Sequence, residues 1–204
     1  MFTYLLIFGP SLLICLTIHE AAHAFMANYL GDPTAKLMGR LTLNPLAHLD
    51  PMGTLVFVIT ALAGFPFGWG KPVIFDPYNL KNPKKDAALI SLAGPASNII
   101  FASILSLIFR FLPNQLLETL IILNVSLAIF NLIPIHPLDG GKILVALLPN
   151  RESRQYDLLL NRYGIFILLL LILPLAGGRS IISIVISPII NLLLKIFLSG
   201  QMMI

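Results

Sequence analysis

Apolar residues gather into six stretches along the chain, at about 2–29, 51–66, 87–109, 117–133, 163–176 and 181–198, separated by short segments that carry nearly all the charge. Crossing the hydrocarbon core of a bilayer takes about 20 residues in a helix, with a range of about 17–25. The first and third stretches meet that length outright, and the fourth and sixth are adequate. The stretch Pro51–Pro66 is short and contains Gly53 and Gly64; Tyr163–Ala176 is short as well. The pattern predicts an all-α polytopic membrane protein with about five to six membrane segments, one of them short or re-entrant. The run Phe65-Pro66-Phe67-Gly68-Trp69-Gly70-Lys71-Pro72-Val73-Ile74-Phe75 mixes aromatics, glycines and prolines. It predicts a small extended or β-ribbon element near residues 67–76, with Trp69 as an interfacial anchor or a substrate contact.

Composition agrees with this reading. The chain is 57% hydrophobic and 11% charged, with mean hydropathy +0.92, whereas soluble domains carry about 25% charged residues. A single domain over 1–204 is expected, with a core of about 1–150 and accessory helices at about 160–198. The lone cysteine, Cys15, excludes an internal disulfide and a cysteine-built zinc cage. Lys36 is the first basic residue, so the leading segment lacks the basic start of a signal peptide and reads as a retained helix. The net charge of +4 sits beside apolar spans, which points to orientation in a lipid bilayer rather than to nucleic acid. Lys36 and Arg40 precede 51–66, and Lys71, Lys81, Lys84 and Lys85 follow it. Keeping both groups inside makes that segment re-entrant, with an external N-terminus and a cytoplasmic C-terminus.

The chemistry begins at His19-Glu20-Ala21-Ala22-His23, an H-E-x-x-H run inside an apolar helix. Two imidazoles four residues apart share one helix face and can grip one Zn²⁺, and the glutamate between them is placed to act as a base on water. A charged residue in such a stretch is expensive, so a functional role is the default reading. A catalytic zinc takes three protein ligands and keeps an open position. Asp139 stands out as the third, after Asn131-Leu132-Ile133-Pro134-Ile135-His136-Pro137-Leu138, because Pro134 and Pro137 stop the helix and Gly140-Gly141 allow a sharp turn. The rival reading makes Asp139 the N-cap of a helix over Gly140–Leu148. The break lies at the inner end of a descending helix. His23 lies about 12 Å from the inner end of its own helix at about 1.5 Å per residue, so both halves of the site face the cytoplasmic side.

The H-E-x-x-H helix, the segment Ser91-Leu92-Ala93-Gly94-Pro95-Ala96-Ser97-Asn98 and the N-x-x-P-x-x-P-x-D-G stretch together resemble the site-2 protease family of intramembrane zinc metalloproteases. The closest match is the compact form without a PDZ domain. The resemblance covers most of 1–150. It implies one zinc ion per chain held by His19, His23 and Asp139, Glu20 as catalytic base, and Asn131 as an active-site hydrogen-bond donor that stabilises a developing oxyanion. It also implies a multi-pass protein of a bacterial or archaeal cell membrane, and a transmembrane protein as the substrate.

Three further residues carry open readings. Asn98 is either an interhelical hydrogen-bonding residue or a substrate contact. His136 departs from the family pattern and either bonds locally or reaches the metal, which would close the site. His48 is a loop residue or a peripheral gate. Two other functions fit parts of the pattern: a catalytically silent scaffold, which has no need of Glu20, and a metal transporter, which calls for ionisable groups strung along a path rather than gathered at one point.

Overall fold

The computed structural model describes residues 2–62, 68–173 and 180–198, and the side chains from Leu6 onward. The chain forms α1 (Phe2–Tyr29), a short α2 (Thr34–Leu37), α3 (Pro51–Leu62), α4 (Pro83–Phe109), α5 (Gln115–Asn131), α6 (Asp139–Leu147), α7 (Asn150–Ile172) and α8 (Ile181–Phe197), with 3₁₀ turns at Pro45–His48 and Pro77–Asn79. Three of these are long and apolar enough to cross a membrane: α1 from Leu6, α4 and α7. Three more, α3, α5 and α8, are shorter and apolar. The protein is an all-α polytopic membrane protein.

Local signals explain the boundaries. Gly31, at φ +109°, turns the chain out of α1, and Asp32 N–H closes the end on Ala27 O at 2.9 Å. Asn114 Oδ1 caps α5 by accepting from Leu117 N–H, and Ser180 Oγ caps α8 by accepting from Ser183 N–H. Asp50 Oδ1 accepts from Gly53 N–H at the start of α3. That helix has 12 residues, about 18 Å at 1.5 Å per residue, well short of the roughly 30 Å hydrocarbon core. The last four residues of the stretch 51–66 lie outside the described residues.

α1, α4 and α5 pack against one another, α8 lies on α5, and α6 bridges α4 to α7. Their shared core holds Cys15, Ala102, Leu105, Phe109, Ile121 and Val125. Polar groups stitch the helices at the same level. Asn98 Nδ2 donates to Cys15 O and to Asn124 Oδ1, and Asn124 Nδ2 donates to Leu120 O and Cys15 Sγ. Such pairs hold helices together where lipid supplies no hydrophobic force between them.

Two expectations change. The region 151–162, expected as a loop before a short span at 163–176, is the first half of α7; its residues are polar but good helix formers, and hydropathy registers only the apolar half. The extended element near 67–76 runs from Gly68 to Asp76, bridged at Leu49–Gly70 alone among the described residues. A ladder does not develop because Pro72 has no N–H and Val73 N–H goes to a side chain. Phe67 lies outside the described residues.

Candidate active site

Three helices and one extended strand bring the site together. α1 presents His19 and His23 one turn apart, their ring centroids 4.6 Å from each other and edge to face. Pro134 and Pro137 keep the chain irregular after α5 ends at Asn131, and turns closed by Leu138 N–H on Ile135 O and Gly141 N–H on Leu138 O lead into α6. Asp139 is the first residue of α6. Leu138 occupies the cap position and makes no capping bond, so the N-cap reading of Asp139 is set aside. The Asp139 side chain turns instead to the histidines: Oδ2 lies 3.1 Å from His19 Nε2 and 3.3 Å from His23 Nε2. All three residues are buried, and one donor atom from each lies within 4.8 Å of the others.

The second nitrogen of each ring is fixed from behind. His23 Nδ1 donates to the Ile90 carbonyl at 2.6 Å, and His19 Nδ1 donates to Asn98 Oδ1 at 2.6 Å. Asn98 can only accept there, because its Nδ2 is already donating to two oxygens. Both rings therefore carry their proton on Nδ1 and point a lone pair from Nε2 at the third acceptor, Asp139. Three acceptors that converge in a buried space repel one another unless a cation lies among them. The donor set of two imidazole nitrogens and one carboxylate oxygen is what a catalytic zinc takes. Gly94 lets α4 approach this closely: a Cβ there would fall on the His23 ring and lie 2.7 Å from His19 Cε1.

Glu20 lines the same cavity, of about 100 Å³, together with Asn131. Its Oε2 accepts from Val73 N–H at 2.8 Å, so the extended strand positions the carboxylate. The strand is itself held in two ways. The Val73 side chain packs with Ala24 and Ala35, and Arg40, buried, donates to the carbonyls of Ala47, Lys71 and Pro72. Asn131 Nδ2 donates to Leu127 O at 3.0 Å.

The profile of peptidase family M50 matches residues 113–171, which include Asn131 and Asp139. The Bacillus subtilis (strain 168) protein named "Putative zinc metalloprotease YwhC" is 35% identical over 195 residues, covering 89% of this chain and 84% of the relative. The chain belongs to peptidase family M50. Rip2 of Mycolicibacterium smegmatis, which carries the same description, is 32% identical over 176 residues, 82% of this chain and 66% of its own length. Rip2 of Mycobacterium tuberculosis (strain H37Rv) is 29% identical over 177 residues, again covering 66% of the relative. No solved structure matches. The M50 assignment makes the protein a membrane-embedded zinc metalloprotease of the site-2 type, with Zn²⁺ as its cofactor, and the His19–His23–Asp139 cluster fits that ion.

The remaining candidates fall elsewhere. Asn98 is fully buried and its amide is spent on His19, Cys15 and Asn124. It stands behind His19 instead of facing a substrate, which corrects the contact role. His136 Nε2 lies 3.3 Å from Asp157 Oδ1 on α7, and Gly164 packs against its backbone. Its ring nitrogen is thus engaged locally, and it is not in the group whose donor atoms converge, which sets aside its reading as an extra ligand. His48 is buried, donates from Nε2 to Thr42 O and accepts Lys71 N–H on its carbonyl, so it supports the strand from below. Trp69 is half exposed on an apolar groove between α1 and α3, apart from the cavity. Arg40, Asn124 and Lys142, which also lines the cavity, are the residues that sequence reasoning missed. Asn124 carried a readable signal, a polar side chain in mid-helix among apolar residues.

Proposed function

We propose that this protein hydrolyses a peptide bond in or near the transmembrane helix of another membrane protein, in regulated intramembrane proteolysis. The observation that carries the reading is the meeting of His19, His23, Asp139 and Glu20 at one cavity among helices apolar enough to cross a membrane. His19 Nε2, His23 Nε2 and Asp139 Oδ2 would hold one zinc ion. Zinc, when bound, supplies a Lewis acid that polarises the scissile carbonyl and acidifies water.

The chain's own groups do the rest. Asn98 and the Ile90 carbonyl keep both Nε2 atoms turned inward. Val73 N–H holds one oxygen of Glu20 and leaves the other to take a proton from water and deliver it to the departing amine. Asn131 spends one amide hydrogen on Leu127 O and keeps the other for a substrate oxygen. Trp69, on its groove, is a contact for the substrate helix away from the reacting bond. A cytoplasmic placement of the cavity is supported by charge: Lys84 Nζ donates to Leu148 O and approaches Asn150 Oδ1, which brings the basic start of α4 beside the arginine-rich start of α7.

A Glu20→Gln variant tests the reading. Purified in detergent, it retains one zinc per chain and cleaves a transmembrane model peptide with a mid-span Asn-Pro break at least about 10²-fold more slowly. Equal zinc content with unchanged cleavage overturns the mechanism.

A further inference from the structure

We propose that Lys142 is a catalytic residue, whose ammonium donates a hydrogen bond to the scissile carbonyl oxygen as that oxygen becomes anionic; the inference rests on the proteolytic reading above. Lys142 stands three residues after Asp139 on α6, on the same helix face, and lines the cavity that holds His19, Glu20 and His23. Its Nζ lies 5.0 Å from the centroid of the Phe75 ring. Among the described residues no carboxylate comes within 4.0 Å of it. An ammonium set among apolar helices with no carboxylate in ion-pair range is costly, and an aromatic face offsets only part of that cost.

Phe75 is two residues beyond Val73, whose N–H holds Glu20. One extended strand therefore seats both the cation and the base. A second donor on the cavity wall is also unmatched: Ser91 Oγ, 1% exposed as a residue, has no hydrogen-bond partner among the described residues. A wall with two such donors calls for an oxygen from outside the protein. The cavity, about 100 Å³, is lined by Glu20, Asn131 and Asp139 as well as by Lys142. A substrate carboxylate there would meet the carboxylates of Glu20 and Asp139, which favours the neutral scissile carbonyl as the partner of Lys142.

Charge favours the same assignment. The addition step moves one negative charge from Glu20, which takes the proton, onto the carbonyl oxygen, and Lys142 on the same cavity wall is the chain's own cation placed to receive it. In the addition step the water oxygen bonds to the carbonyl carbon, Glu20 takes the water proton, and the π pair moves onto the carbonyl oxygen facing Lys142. In the collapse that pair returns, the C–N bond breaks, and the proton passes from Glu20 to the leaving nitrogen. Lys142 transfers no proton in either step.

The test compares wild type, Glu20→Gln, Lys142→Met, Lys142→Gln and Lys142→Arg on the same transmembrane model peptide, with zinc content and melting temperature measured for each. Removing one donor of this kind typically costs about 10²–10³-fold in rate. The expected result is a kcat loss of that order for Lys142→Met and Lys142→Gln, KM within about threefold, zinc retained, and partial recovery in Lys142→Arg. A peptide phosphonamidate, which mimics the anionic intermediate, weakens by a similar factor, while binding of the intact peptide measured in the Glu20→Gln background does not change. A loss confined to KM, or an unchanged kcat, overturns the role of Lys142. Cleavage that survives Glu20→Gln counts instead against the proteolytic mechanism itself.

Discussion

His19 is held between Asn98, whose Oδ1 lies 2.6 Å from its Nδ1, and Asp139, whose Oδ2 lies 3.1 Å from its Nε2. The ring thus joins α4 to α6, and its position depends on an asparagine that does not touch the metal position. Partners of this kind set the tautomer and orientation of a ligating histidine, and their loss typically costs about 10–100-fold in metal affinity. Asn98→Ala is expected to weaken zinc binding by that factor in competition titrations against a chelator, with the helical content retained. Unchanged affinity would show that α1 alone orients His19.

Gly94 makes a separate prediction about space. A methyl group there meets the imidazoles of His19 and His23, which cannot move away without giving up Asn98 or the Ile90 carbonyl. Overpacking of this kind typically costs about 1–3 kcal/mol. Gly94→Ala should lower both melting temperature and zinc stoichiometry, whereas an alanine at Gly39, where a Cβ has nothing within 4 Å but φ is +69°, should cost only stability and leave zinc stoichiometry unchanged.

Arg40 connects the loop after α2 to the strand that seats Glu20. Its planar guanidinium serves three carbonyls, those of Ala47, Lys71 and Pro72. A lysine ammonium cannot span them. Arg40→Lys is expected to cost about 1–3 kcal/mol in detergent unfolding, the usual penalty of unsatisfied buried acceptors, and to slow peptide cleavage. Zinc content should remain at one, because no ligand lies on that strand; loss of zinc would contradict this separation of roles.

Asp32, just beyond α1, ties the helix end to the loop before α4. Burial works to raise its pKa, but hydrogen bonds from Thr34, Asn79 and the Asp76 amide outweigh it and hold the carboxyl below its ordinary value of 3.8. A carboxyl depressed in the folded state contributes stability that is complete above its ordinary value and is lost as pH falls below it. Melting temperature followed from pH 6 to pH 2 should therefore fall less steeply in Asp32→Asn than in wild type, starting from a lower value at pH 6. Parallel curves would mean that Asp32 is not among the groups that couple folding to acid.

The metal-binding half of the site was legible in the sequence because helix geometry alone puts His19 and His23 on one face. Asp139 was legible because two prolines forced a break just before it. Asn131 followed from the same stretch, and the cavity includes it. Arg40 was not legible: spacing does not distinguish a loop cation that faces water from one turned inward onto carbonyls, so its charge read as a topology signal. Asn98 was visible as a polar residue next to Gly94-Pro95, but only the packing of α4 on α1 shows which way its amide faces. The polar half of α7 escaped because apolar stretches were the guide to helices. Lys142 was within reach, three residues from Asp139, and went unread because the glycine pair drew attention to the turn.

The central claim is that two histidines and one aspartate hold a single zinc with room left for water. X-ray absorption at the zinc edge of the purified protein tests it most directly. The account predicts one zinc per chain with two imidazole nitrogens and light oxygen ligands at about 2.0–2.2 Å, no sulfur, and loss of the ion in Asp139→Ala. A sulfur shell, a third imidazole, or full zinc retention in Asp139→Ala would contradict it.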